Sequence, residues 1–137
     1  KTIYLTCTAK PFYPANVDLT ISVDVGPEII TGSTRMKAGT ATKMVLNMIS
    51  TATMIRLGKV YGNLMVDLMA VNEKLVDRGI RIIQDFTNLD IENSRRILVE
   101  AKMSVKAALV MVKKDCDLDV AEKLLLDANG FLRDVIN

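Results

Sequence analysis

Residues 26–43, GPEIITGSTRMKAGTATK, constrain this chain more than any other stretch. They follow a strand-like run, Leu19-Thr20-Ile21-Ser22-Val23, and lead into a long apolar helical pattern, so the turn joins the end of a strand to the start of a helix. Thr31, Ser33, Thr34, Thr40, Gly26, Gly32, Gly39, Arg35 and Lys37 crowd around that helix start. Backbone N–H groups at a helix N-terminus favour an anion. Glycines let an anion approach the backbone, hydroxyls donate to phosphate oxygens, and a guanidinium does so bidentately. The combination points to a phosphate or phosphosugar site. Ser33 and Thr34 have a second reading as helix caps, because capping and anion binding share one geometry. Lys37 either adds charge at a phosphate or reaches solvent. Glu28 either bonds sugar hydroxyls or locks the loop through backbone N–H groups.

Composition narrows the class. The chain has 137 residues, half of them hydrophobic and a quarter charged, a globular balance. Net charge is only +2, which gives no bias towards nucleic acid or a membrane surface. Residues 1–87 carry 10 Lys/Arg against 7 Asp/Glu, and residues 88–137 carry 8 against 9. Cys7 and Cys116 lie far apart, match no metal spacing and form no disulfide framework, which suits a reducing cytoplasm. Apolar runs are broken well short of the roughly 18 residues a membrane helix needs. Histidine is absent, so acid–base chemistry would fall to carboxylates, lysine, tyrosine or a partner.

The opening segment reads as two short strands, residues 2–6 and 18–23, joined by a turn-rich link containing Pro11 and Pro14. Beyond residue 25 the only further strand candidate is residues 64–68. Two strands make a marginal sheet. The expectation is therefore a chain cut from a larger sheet, with a complete small α+β domain as the alternative.

The rest reads as helix. Residues 35–57 form one long helix with Ala38, Ala41, Val45, Met48, Ala52 and Ile55 on its inner stripe, ended by Gly58. Residues 58–63 read as a glycine-bracketed loop. Residues 72–86 form a second helix with Leu75, Gly79, Ile82, Ile83 and Phe86 inward. Residues 88–137 then read as three short helices, capped by Asp90, by Ser104, and by an Asp119/Glu122 capping box.

The runs Gly26-Pro27-Glu28 and Thr31-Gly32-Ser33-Thr34-Arg35-Met36-Lys37-Ala38-Gly39-Thr40-Ala41 resemble the signature of the N-acetylmuramic acid 6-phosphate etherases, and that of the related glucokinase regulatory proteins. Residues 43–51, 57–67 and 72–75 continue the resemblance, closer to the bacterial enzymes. It implies an α/β fold: the C-terminal part of a sugar isomerase (SIS) domain, a flavodoxin-like parallel-sheet sandwich, over residues 1–87. A small three-helix domain like a ubiquitin-associated module would follow over residues 88–137.

The resemblance also implies a lyase of peptidoglycan recycling. It would cleave the D-lactyl ether of N-acetylmuramic acid 6-phosphate, giving N-acetylglucosamine 6-phosphate and D-lactate, with no cofactor or metal. The family route abstracts a proton beside the sugar carbonyl, expels lactate and adds water. Its acid and base are glutamates expected upstream of this segment, so no catalytic residue is assigned here, Glu28 and Glu73 included, and the fragment alone is expected to be inactive. Ser33, Thr34, Arg35, Lys37 and Glu28 are the substrate-binding candidates. A cytoplasmic homodimer binding a phosphorylated amino sugar is implied, without nucleic acid or membrane. The alternative function is a non-catalytic phosphosugar sensor of the glucokinase regulatory type. A helix-turn-helix reading of residues 104–129 is disfavoured by the acidic link Asp115-Cys116-Asp117-Leu118-Asp119.

Overall fold

Apolar residues alternating with hydroxyl residues form two short strands, β1 (Ile3–Thr6) and β2 (Leu19–Ser22), in a computed structural model that describes residues 1–9 and 16–137. The expected link through Pro11 and Pro14 lies outside the described residues. The strands pair in parallel with Ile3 opposite Leu19 and Thr6 opposite Ser22. The ladder continues at both ends, where Leu19 N donates to Thr2 O (3.2 Å) and Val23 N to Thr6 O (2.9 Å).

Helix α1 (Lys37–Arg56) follows the turn. The expected inner stripe is realised only at its start. Val45 is buried and Ala38 and Ala41 are half-buried, but Met48 and Ile55 are more than half exposed, and Ala52 is exposed too. Met44, Leu46, Met54 and Leu57 are also open. The physical reason is that the helix is apolar on every side, and a two-stranded sheet covers little of it.

Packing divides the chain into two units, Lys1–Ala52 and Thr53–Asn137. In the second, which begins within the last turn of α1, Gly58 takes φ +69° just past the helix end. A small antiparallel hairpin follows, β3 (Val60–Tyr61) and β4 (Leu64–Met65), closed by Gly62 and Asn63. The expected loop over residues 58–63 thus contains the two-residue strand β3, and the strand expected at 64–68 is two residues long. Gly62 takes φ +59°, the left-handed geometry a tight hairpin turn needs.

Five helices complete this unit. Asn72 caps α2 (Glu73–Thr87) by accepting from Leu75 N at 2.9 Å. Asp90 caps α3 (Ile91–Glu100) and Ser104 caps α4 (Val105–Lys114), both as expected. Helix α5 (Leu118–Asp127) departs from expectation. Its cap is Asp117, accepting from Val120 N at 2.9 Å, and not Asp119. Asp115 already takes the left-handed conformation that ends α4, so only Cys116 separates the caps of the two helices. Asp119 falls in the first turn, where its charge still suits the helix dipole. After Gly130 (φ +80°) a fourth short helix, α6 (Leu132–Ile136), replaces the expected end of a three-helix set. Five residues are too few to show a period.

The core centres on α4, whose residues 105–111 are all buried. Ile83, Leu98 and Leu132 close around it with almost no exposure. Helix α2 joins α3 and α4 through Gly79, where an added Cβ would meet Val105 Cγ2 at 2.8 Å. One buried cation stands in this apolar set. The Lys106 ammonium donates to Gly58 O (3.0 Å) and Gly130 O (2.8 Å), and lies 3.4 Å from Asp67 Oδ1. Tyr61 packs edge-on against Phe86 and donates its hydroxyl to Asn137 Oδ1 at 2.9 Å, tying the hairpin to the last residue.

Candidate functional site

The turn over residues 24–38 lies beyond the carboxyl end of β2, where open parallel sheets bind ligands. Asp24 Oδ1 accepts from Gly26 N at 3.0 Å, an Asx turn that starts the loop, and Gly26 takes φ +65°. Ser33 N donates to Ile30 O at 3.0 Å across the apex, with Gly32 at φ +83°. The chain then enters α1 through Gly39 N donating to Thr34 O and Thr40 N to Met36 O, each at 3.0 Å.

Glu28 closes the loop. Its Oε2 accepts from Lys37 N (3.1 Å) and its Oε1 from Ala38 N (3.0 Å), so one carboxylate spans the first two amides of α1. These amides have no partner within the helix and carry the positive end of its dipole. Lys37 returns the tie, donating its ammonium to Pro27 O at 2.8 Å. Glu28 thus makes the backbone bonds of its loop-locking reading, while Lys37, read as adding charge at a phosphate or reaching solvent, bonds the Pro27 carbonyl. Ser33 and Thr34 do not cap α1, because Glu28 does.

The candidates end up close in the fold but unequal in role. Thr34 and Arg35 are exposed and Ser33 is half-buried, all on the short path between the apex and α1. Among the described residues Arg35 has no ion-pair partner. Cys7, at the end of β1, donates its thiol weakly to Ala38 O at 3.5 Å and so sits beside the same helix start. The sequence pattern did not flag this contact, because strand and helix lie more than thirty positions apart. Lys106 was also missed, although a lone lysine within Val105–Met111 was a visible signal.

The N–H groups of Ala38 and Lys37 hold the Glu28 carboxyl below its ordinary value of 4.5, against a smaller opposing effect of desolvation. A carboxyl depressed on folding stabilises above its unfolded value and loses that contribution as the pH falls through the folded one. The Ala38 amide resonance, followed from neutral into acid solution, should therefore shift with a midpoint below 4.5. A midpoint at or above it would deny the bond.

No family model matches the chain. Curated proteins do. The chain is 53% identical over 131 residues to the N-acetylmuramic acid 6-phosphate etherase of Bacillus subtilis, covering 96% of this chain and 43% of that protein. It is 54% identical over 121 residues to that of Clostridium acetobutylicum, covering 88% and 40%. Against that of Salinibacter ruber it is 47% identical over 135 residues, covering 98% and 43%. The chain thus spans less than half the length of these curated relatives.

Proposed function

We propose that this chain, homologous over most of its length to the N-acetylmuramic acid 6-phosphate etherases, forms the phosphosugar-holding part of a lyase of that kind. The substrate is N-acetylmuramic acid 6-phosphate, and the products are N-acetylglucosamine 6-phosphate and D-lactate. The observation that carries the reading is the closed turn after β2, which presents Ser33, Thr34 and Arg35 beside the start of α1. Hydroxyls and a guanidinium with no ion-pair partner among the described residues suit a phosphate monoester. Lys37 adds positive charge nearby, though its ammonium is tied to Pro27.

None of the carboxylates of this chain is assigned the proton transfers. Glu28 is committed to two amides, and Glu73 stands in the first turn of α2, favourably placed against the helix dipole. The parallel β1–β2 pair supports a sugar isomerase-type sandwich over residues 1–87, with a helical module like a ubiquitin-associated domain over residues 88–137. The open apolar sides of α1 support a homodimer. Free Cys7 and Cys116 suit a cytoplasmic setting. No helix among the described residues is long and apolar enough to cross a membrane.

The test is D-lactate release from N-acetylmuramic acid 6-phosphate by the intact protein. Arg35→Ala should weaken phosphosugar binding by about 1.5–3 kcal/mol, the worth of a charged hydrogen bond. Unchanged affinity on calorimetry would remove Arg35 from the site. Phosphosugar binding without lactate release would favour a sensor instead.

A further inference from the structure

We propose that Glu28 is the positioning residue of the phosphosugar turn: it braces the loop so that Ser33, Thr34 and Arg35 meet the sugar phosphate already in place, and it does not touch the sugar. This inference rests on the reading that the turn holds the phosphosugar. Pro27 and Glu28 are tied to Lys37 and Ala38 by three hydrogen bonds of 2.8–3.1 Å, closing a ten-residue loop at its base. Among the described residues, the bond from Ser33 N to Ile30 O stays within the loop and does not anchor it. Ile29 and Ile30 are 77% and 70% exposed, so apolar burial contributes almost nothing there. A loop held by its base alone would lose its order if the base opened, and a ligand would then have to supply the ordering free energy.

The same geometry changes where the phosphate sits. The first two amides of α1 are the obvious anion site from sequence, and the Glu28 carboxylate already fills it. A phosphate there would meet a like charge. The phosphate therefore takes its contacts from the side chains of the apex, which makes their placement, and hence the brace, decisive for affinity.

Glu28→Gln separates positioning from contact. Glutamine keeps the length but has one acceptor oxygen, and its NH2 would face a backbone N–H. A sugar hydroxyl, by contrast, bonds glutamine about as readily as glutamate. In the intact protein, N-acetylglucosamine 6-phosphate binding by calorimetry should weaken about tenfold. Amide exchange at Lys37 and Ala38 should lose its protection. Combined with Arg35→Ala, the two losses should be far from additive, because Glu28 acts through the placement of Arg35.

Full affinity in Glu28→Gln overturns the proposal. So does weakened binding with Lys37 and Ala38 as protected as in the wild type, which would mean direct contact with the sugar. Additive losses overturn it as well. If Glu28→Gln does not fold, Glu28→Asp, which keeps the charge but falls a methylene short, is held to the same three outcomes. A wild type that binds no phosphosugar, yet protects both amides, overturns the site reading and leaves a brace with no ligand to position, which a failure of the brace itself would not resemble.

Discussion

Replacing Lys106 with methionine should lower the unfolding free energy by about 3 kcal/mol. Lys106 is 7% exposed, and its ammonium donates to two carbonyls, Gly58 O at 3.0 Å and Gly130 O at 2.8 Å. Both carbonyls follow helix ends, one after α1 and one after α5, where the dipole leaves negative charge. Asp67 adds a longer ion pair at 3.4 Å. Methionine matches the length but donates nothing, so two largely enclosed carbonyls and one side of Asp67 lose their partner. Charged hydrogen bonds of this kind contribute about 1.5–3 kcal/mol each, and the relief of desolvating the ammonium offsets part of that. Urea unfolding of Lys106→Met reads the result. A loss below about 1 kcal/mol would show that the clip holds little.

A second readout is independent of the first. Burial pushes the Asp67 carboxyl up, but the hydrogen bond from Lys59 and the charge of Lys106 more than reverse it, leaving it below its ordinary value of 3.8. Its contribution to stability is therefore present above that value and fades as the pH falls through the folded one. Removing Lys106 removes one of the two lowering charges. The stability gap between Lys106→Met and the wild type should therefore narrow as the pH falls through the acid range, because the wild type has more of this contribution to lose.

Gly79→Val should cost about 3 kcal/mol, and Gly79→Ala about 1–2. A Cβ at Gly79 would lie 2.8 Å from Val105 Cγ2 and 3.3 Å from Leu98 Cδ2. Neither neighbour has room to yield, because Val105 is fully buried and Leu98 is 1% exposed. Alanine regains about 0.8–1 kcal/mol of helix propensity, which offsets part of its clash. Valine brings two γ-carbons to the same contact with a stiff χ1, so α2 must move off α3 and α4. Equal unfolding midpoints for Gly79→Ala and the wild type would mean that the helices separate more easily than this packing implies.

Much of the local architecture was legible in the residues. Asn72, Asp90 and Ser104 precede apolar-periodic runs, and each caps the helix that follows. The rule is local, since a side-chain oxygen three positions before an N–H needs no distant partner. It failed at Asp119 because the end of α4 at Asp115 competes for the same residues, and Asp117 takes the cap. The hairpin Val60–Tyr61/Leu64–Met65 and the helix α6 are too short for any period to stand out. The apolar residues of α1 misled in the other direction, since hydrophobicity marks what can be buried and not what is covered.

By itself the sequence determined that a strand ends in a glycine- and hydroxyl-rich turn, that a long apolar helix follows, and that Ser33, Thr34 and Arg35 cluster at the junction. Those properties depend on neighbours within a few positions. Only the tertiary structure decided that Glu28, ten positions before Ala38, occupies the α1 amides in place of an external anion. It alone brought Lys106 to carbonyls 48 and 24 positions away. A hydrogen bond or ion pair is chosen by distance in space, and chain spacing carries no record of it until the backbone has closed.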